Sequence, residues 1–232
     1  MATKEDSFDV FELLTAFLLG LAATATALVA HENALWSGKS TDFYSESATL
    51  TSKASNLDNS AVVDVSQDSN IEIEAKKLIR EGLRSDNADD KEEALNLASY
   101  LLTGWLTDEA YKAFELPADY RDGKKTDEYL PEETLVTFLE TEGLDDEYTD
   151  TLFGESEDLF EEADKSFAAA REANDAGDKF SFAAVLYAIS LFFAGIASVL
   201  RSRVRWLVWV SGMLVFVSAT GYSATLSWLP LL

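Results

Sequence analysis

Three stretches of the sequence run for 18 residues or more without a charged side chain: LLTAFLLGLAATATALVA at 13–30, FSFAAVLYAISLFFAGIASVL at 180–200 and WLVWVSGMLVFVSATGYSATLSWL at 206–229. A helix rises about 1.5 Å per residue, so each spans roughly 27 Å or more, enough to cross the hydrocarbon of a bilayer. Nothing else in the chain constrains the fold so strongly. In hydrocarbon every backbone N–H and C=O must be satisfied internally, and a helix does so within one segment.

The second and third stretches are separated only by RSRVR at 201–205. Two helices joined by so short a connection are antiparallel neighbours, so the chain is expected to contain a membrane hairpin. Trp206, Trp209, Tyr222 and Trp228 lie toward the ends of the third stretch, where amphipathic rings prefer the headgroup level, and Pro230 is expected to stop the helix. The first stretch competes with a secretory signal, because ATA at 25–27 looks like a cleavage site. Its leader, residues 1–12 with Lys4 and four acids, has the wrong charge for one, so an uncleaved anchor is expected, with Phe8, Val10 and Phe11 lengthening its apolar face.

Charge is distributed in the opposite way. The segment 31–179 holds 38 acids and 14 bases, the whole of the formal charge of −24, and no acid follows Asp178. Such a surface repels nucleic acid and anionic headgroups, which excludes binding to either by charge attraction. Its self-repulsion is relieved near 1 M salt, where the screening length falls to about 3 Å, so a salt-loving and by extension archaeal host is expected. With no cysteine and one histidine, thiolate chemistry and histidine-rich metal sites are absent.

The acidic segment reads as helical. From 31 to 57 there is no proline and one glycine, so the first membrane helix is expected to continue into water as a stalk. IEIEAKKLIREGL follows with Ile71, Leu78 and Ile79 at helical spacing. KEEALNLASYLLTGWL then places Ala94, Leu97, Ala98, Leu101, Leu102 and Trp105 on one expected core face, capped by Asp89 or Asp90. Residues 116–131 form a loop, and Pro131 opens a short helix that ends at Gly143. A last helix carries Leu159, Phe160, Ala163, Phe167, Ala170 and Ala173, with a break or polar collar at 174–178 and Asp178 at the start of the second membrane span. AVVDV at 61–65 is the lone β-branched cluster. The expected fold is all-α, with three transmembrane helices and a large acidic helical extramembrane domain.

Short Arg-rich loops stay cytoplasmic, so Arg201, Arg203 and Arg205 are expected to face the cytosol. Tracing back through the spans puts the acidic domain outside the cell and the N-terminus inside. The same arginines suit anionic lipid headgroups, which lie at that interface.

Two segments resemble a family of uncharacterised prokaryotic membrane proteins. One is ATALVAHENALWSGKSTDFYSESATLTSKA at 25–54, with its WSG after the first span. The other is AREANDAGDKFSFAAVLYAISLFFAGIASVLRSRVRW at 170–206, where Phe180 stands in place of that family's frequent Tyr. The resemblance covers under a third of the chain. It implies one N-terminal and two C-terminal spans around a helical domain, and no activity.

No constellation for catalysis stands out. HENAL at 31–35 lacks the second His of a zinc-protease motif, and WSGKST at 36–41 lacks the spacing of a phosphate loop. His31 and Glu32 read as interfacial polar residues, with proton sensing by His31 as the sharper alternative. DNADDKEE and GLDDEYTD could hold Ca²⁺ or Mg²⁺ loosely but lack the spacing of a Ca²⁺ loop. No cofactor is expected.

The membrane stretches carry small residues at helical intervals: Ala16, Gly20 and Thr24 in the first; Ser211, Ser218 and Thr225, with Gly212 and Ala219, in the third. Small residues let membrane helices approach closely, either within one bundle or between copies in a homo-oligomer. Trp36, Trp206, Trp209 and Trp228 are the expected interface anchors. The expected function is a non-enzymatic integral membrane protein, self-associating and serving assembly or envelope organisation in the cell membrane. An oligomeric channel or gating subunit is the alternative.

Overall fold

A computed structural model describes residues 10–121 and 128–229. Its elements are six helices: α1, Val10–Arg84; α2, Ala88–Trp105; α3, Asp108–Ala113; α4, Glu132–Glu140; α5, Asp146–Val199; and α6, Val204–Ala224, with a 3-10 turn at Ala118–Tyr120. No strand occurs among the described residues. Phe8, Lys4 and the rest of 1–9, the Gly123 portion of the expected loop, and Pro230 lie outside them.

The long helices follow from the absence of proline within them. The β-branched cluster at 61–65 lies inside α1, with Ala61 buried and Val62 and Val63 more than half exposed. Its strand preference is overridden by the helical segments on both sides. Residues 174–178 form no break either. α5 runs through them, so Asp178 has no helix start to face and instead accepts a hydrogen bond from the Asn174 amide at 3.3 Å.

Helix boundaries are set by side chains that satisfy free backbone amides. Asn87, rather than Asp89 or Asp90, caps α2 by accepting from the Asp89 N–H at 3.1 Å, which leaves both aspartates in the first turn where the helix dipole favours them. Asp145 does the same for α5, accepting from the Tyr148 N–H at 2.9 Å. Both acidic runs considered for cations thus supply helix starts. Pro131 sits one residue before α4, and that helix ends at Glu140, ahead of Gly143.

The chain forms two compact units. The first comprises residues up to 47 and from 164 onward; the second is 48–163. Charge divides the sequence near 31 and 179, but helix packing of the first unit extends further: the Tyr44 and Phe167 rings meet edge-on with centroids 5.5 Å apart.

In the second unit, Ile71, Ala75 and Ile79 of α1 form a core with Leu95, Ala98 and Leu102 of α2, Phe114, Leu135 and Phe138. The buried face of α2 is Leu95, Ala98, Ser99 and Leu102, with Leu101 packed beside it; Ala98, Leu101 and Leu102 are as expected, whereas Leu97 and Trp105 are about half exposed. Ser99 holds a core position because its hydroxyl accepts the Leu130 N–H at 2.7 Å. Lys91 pairs with Glu132 at 2.8 Å, joining α2 to α4.

Candidate functional site in the apolar helix bundle

The first unit is a bundle of the amino-terminal part of α1, the carboxy-terminal part of α5, and α6. Its core is Val29, Phe180, Ala183, Tyr187 and Ala219. Phe11 near the start of α1 meets Trp206 edge-on at 4.8 Å, and the Arg205 guanidinium lies 4.3 Å from the Phe11 ring centre. At the other end, the Trp36 indole donates to the Ser227 carbonyl at 3.2 Å. α1 and α6 are therefore parallel, with α5 antiparallel to both. Phe11 and Trp36 are 25 positions apart on α1, roughly 37 Å of helix, about the thickness of a bilayer's hydrocarbon plus its borders.

Three helices are long and apolar enough to cross a membrane. Only 17–28% of their most apolar windows is buried within the chain. Leu13, Phe17, Val185, Phe192, Leu207 and Leu214 are all more than half exposed. So much outward apolar surface far exceeds what a chain in water tolerates, and points to a membrane protein.

α5 and α6 pack through small and hydroxyl residues. A Cβ added to Gly212 would lie 3.0 Å from the Phe193 Cβ and 3.3 Å from the Ser190 carbonyl oxygen. The Ser190 hydroxyl donates to the Gly212 carbonyl at 2.9 Å, and the Tyr187 hydroxyl lies 3.0 Å from that of Ser223. Ala219 is fully buried one heptad beyond Gly212. Of the small residues singled out in the sequence, these two make the intramolecular contact.

The others face outward. Ala16, Gly20 and Thr24 are exposed, while Thr15, Leu18 and Ala22 carry the buried face of α1. A Cβ on Gly20 would meet nothing within 4 Å. Ser218 and Thr225 are exposed and Ser211 half-buried; their hydroxyls donate to the carbonyls of Leu214, Tyr222 and Leu207.

The interface residues divide by role. Arg201 and Arg203 are exposed in the turn, whereas α6 already begins at Val204 and Arg205 is half-buried. Trp206 and Trp228 are partly exposed, and Trp228 donates to the Ser223 carbonyl at 2.9 Å while meeting Phe180 edge-on. Trp36 is half-buried with Lys39 over its ring, and the Trp209 indole nitrogen is enclosed without an acceptor.

Two acids are buried, Glu32, expected as an interfacial polar residue, and Asp68, which the sequence did not single out. Glu32 is 1% exposed, and its carboxylate accepts the Leu229 N–H at 3.1 Å. Together with Trp36 it occupies backbone groups after α6, which ends at Ala224 rather than near 229. His31 beside it is exposed. In the second unit, Asp68 is wholly buried and accepts from the Thr107 N–H at 2.8 Å, the Thr107 hydroxyl at 2.5 Å and the Tyr148 hydroxyl at 2.7 Å. Burial, and then this bond to Asp68, push the Tyr148 phenol well above its ordinary pKa. The signal for Asp68 was positional: it falls on the seven-residue series Ala54, Ala61, Asp68, Ala75, Gly82, every other member of which is small and buried.

Among the described residues, no group of three or more His, Asp or Glu side chains converges to hold a metal ion. An open groove along α2 is lined by Asp89, Glu92, Glu93, Leu97, Tyr100 and Tyr129.

No family model matches the chain, no curated protein matches it significantly, and no solved structure does so. The resemblance at 25–54 and 170–206 therefore stays a likeness of layout at the membrane edges, and family membership is not shown by it.

Proposed function

We propose that the chain is a non-enzymatic, multi-pass integral membrane protein that self-associates and serves assembly or envelope organisation. The observation that carries this reading is the division of its small residues. Gly212 and Ala219 are consumed inside the bundle, whereas Ala16, Gly20 and Thr24 form an outward strip on α1 with open space over Gly20. Where packing rather than the hydrophobic effect joins helices, such a strip suits close approach of a second copy.

In this reading the three apolar helices cross the cell membrane, and lipids cover the rest of their outward surface. The bundle geometry supports a common side for the start of α1 and the arginine turn, because Phe11 lies against Arg205 and Trp206. Because short Arg-rich loops stay cytoplasmic, this reading takes that side as the cytoplasm and the acidic helical domain as exterior. A salt-loving, archaeal host accounts for the formal charge of −24. That surface does not engage nucleic acid and associates with cations weakly. The channel reading has less support: Ser211, Ser218 and Thr225 spend their hydroxyl protons on their own helix, and Val29, Phe180 and Tyr187 fill the bundle centre.

The chain has no cysteine, so a single introduced thiol reports on its own position. Oxidation of native membranes carrying Ala16→Cys should yield a disulfide-linked dimer, with Val185→Cys, on the outward face of α5, remaining monomeric. Absence of the Ala16→Cys dimer contradicts self-association through α1. Protease added to intact cells should trim 31–179, and full protection contradicts the exterior placement.

A further inference from the structure

The carboxy-terminal end of α5 carries an open groove of about 480 Å³ lined by Phe192, Gly195, Ile196, Val199 and Leu200. Phe192 is 64% and Val199 80% exposed, and a Cβ on Gly195 would meet nothing within 4 Å, so the glycine leaves a notch between them. The Ser198 hydroxyl, beside the groove, is turned back to the Gly195 carbonyl at 2.6 Å. The groove thus offers apolar surface and no hydrogen-bonding group from this side chain.

Leu200, the last lining residue, is followed directly by Arg201 and then Arg203. In a chain with 42 acids and 18 bases, these two guanidiniums make no ion pair or hydrogen bond among the described residues. Arg121 pairs with Asp108 at 2.9 Å, and Arg205 covers Phe11, so neither of these competes for a ligand at the turn. No acidic side chain follows Asp178 in the sequence. α6 starts one residue after Arg203 with no side chain capping its free amides, which adds the positive end of a helix dipole at the same place.

From this juxtaposition we infer that the α5 groove binds one hydrocarbon chain of an anionic phospholipid whose phosphate is held by Arg201 and Arg203. An apolar notch that ends in unpaired guanidiniums at a helix start matches the two halves of such a lipid in chemistry and in order along the membrane normal. The inference rests on the membrane reading above. It differs from general attraction of a basic loop to a charged surface, because it assigns part of the binding to Gly195, which carries no charge.

The test uses the full chain in nanodiscs of phosphatidylcholine with a minor fraction of phosphatidylglycerol, with lipids retained after gentle release counted by native mass spectrometry. The expected result is a preference of about 25-fold for phosphatidylglycerol, from roughly fivefold per arginine. Arg201→Gln with Arg203→Gln should bring the ratio close to one. Gly195→Leu, which fills the notch and leaves both arginines, should lower retention at least about threefold. Glycerol 3-phosphate, the headgroup chemistry without the chain, should not displace the lipid. Equal retention of the two lipids, an unchanged Gly195→Leu variant, or displacement by glycerol 3-phosphate overturns the site. A chain that never incorporates into nanodiscs overturns the membrane reading and the site with it, and is told apart by its absence from the nanodisc fraction.

Discussion

Asp68 shows how one residue can organise a domain that its neighbours in sequence give no reason to notice. Its carboxylate satisfies the amide and hydroxyl of Thr107, which caps α3 through the Ala110 N–H at 3.1 Å, and the hydroxyl of Tyr148 in α5. A buried donor left without its acceptor costs about 1–3 kcal/mol, so Asp68→Ala should destabilise the second unit by about 3 kcal/mol or more, measured by denaturant unfolding. The raised Tyr148 pKa gives a second readout. Its folded value lies above the ordinary value near 10, so the contribution is complete below that pH. As pH rises past it, the unfolded phenol ionises while the folded one keeps its proton, and stability falls. Tyr148→Phe should flatten that alkaline loss relative to the parent chain. One acid among 42 is illegible by composition; only its place on a line of small residues sets it apart.

Among the helices, those that the sequence made legible are the ones with a charge-free run, because lipid-facing and core-facing positions there are both apolar and no pattern need be resolved. Where one face meets water the reading was coarser. In α2 the expected face of Ala94, Leu97, Ala98, Leu101, Leu102 and Trp105 shares Ala98 and Leu102 with the buried one, and a polar residue, Ser99, takes a core position by accepting the Leu130 N–H, which apolar periodicity does not reveal. Heptad spacing alone could not tell which small residues of α1 and α6 would be used inside the chain, since that depends on which helices are neighbours. Gly212 approaches α5 closely, so Gly212→Leu should strain the α5–α6 hairpin by about 1–3 kcal/mol and lower the thermal midpoint of the solubilised chain. An unchanged midpoint would mean that the two helices do not pack as described.

For the whole molecule, charge and apolar surface have been sorted into different stretches of one chain, and each asks for its own environment. The acidic segment should gain thermal stability between about 0.15 M and roughly 1 M salt, as the screening length falls from about 8 Å to about 3 Å; a midpoint indifferent to salt would argue against a salt-loving host. The apolar helices ask for lipid and, in the proposed function, for another copy along Ala16, Gly20 and Thr24. The molar mass of the detergent-solubilised chain at high salt, by light scattering with the detergent contribution subtracted, tests that claim most directly. Self-association through α1 gives twice 25.5 kDa or a higher multiple for the parent chain and 25.5 kDa for Gly20→Leu, with unchanged helix content in the variant. A parent chain of 25.5 kDa, or a Gly20→Leu variant as large as the parent, would contradict it.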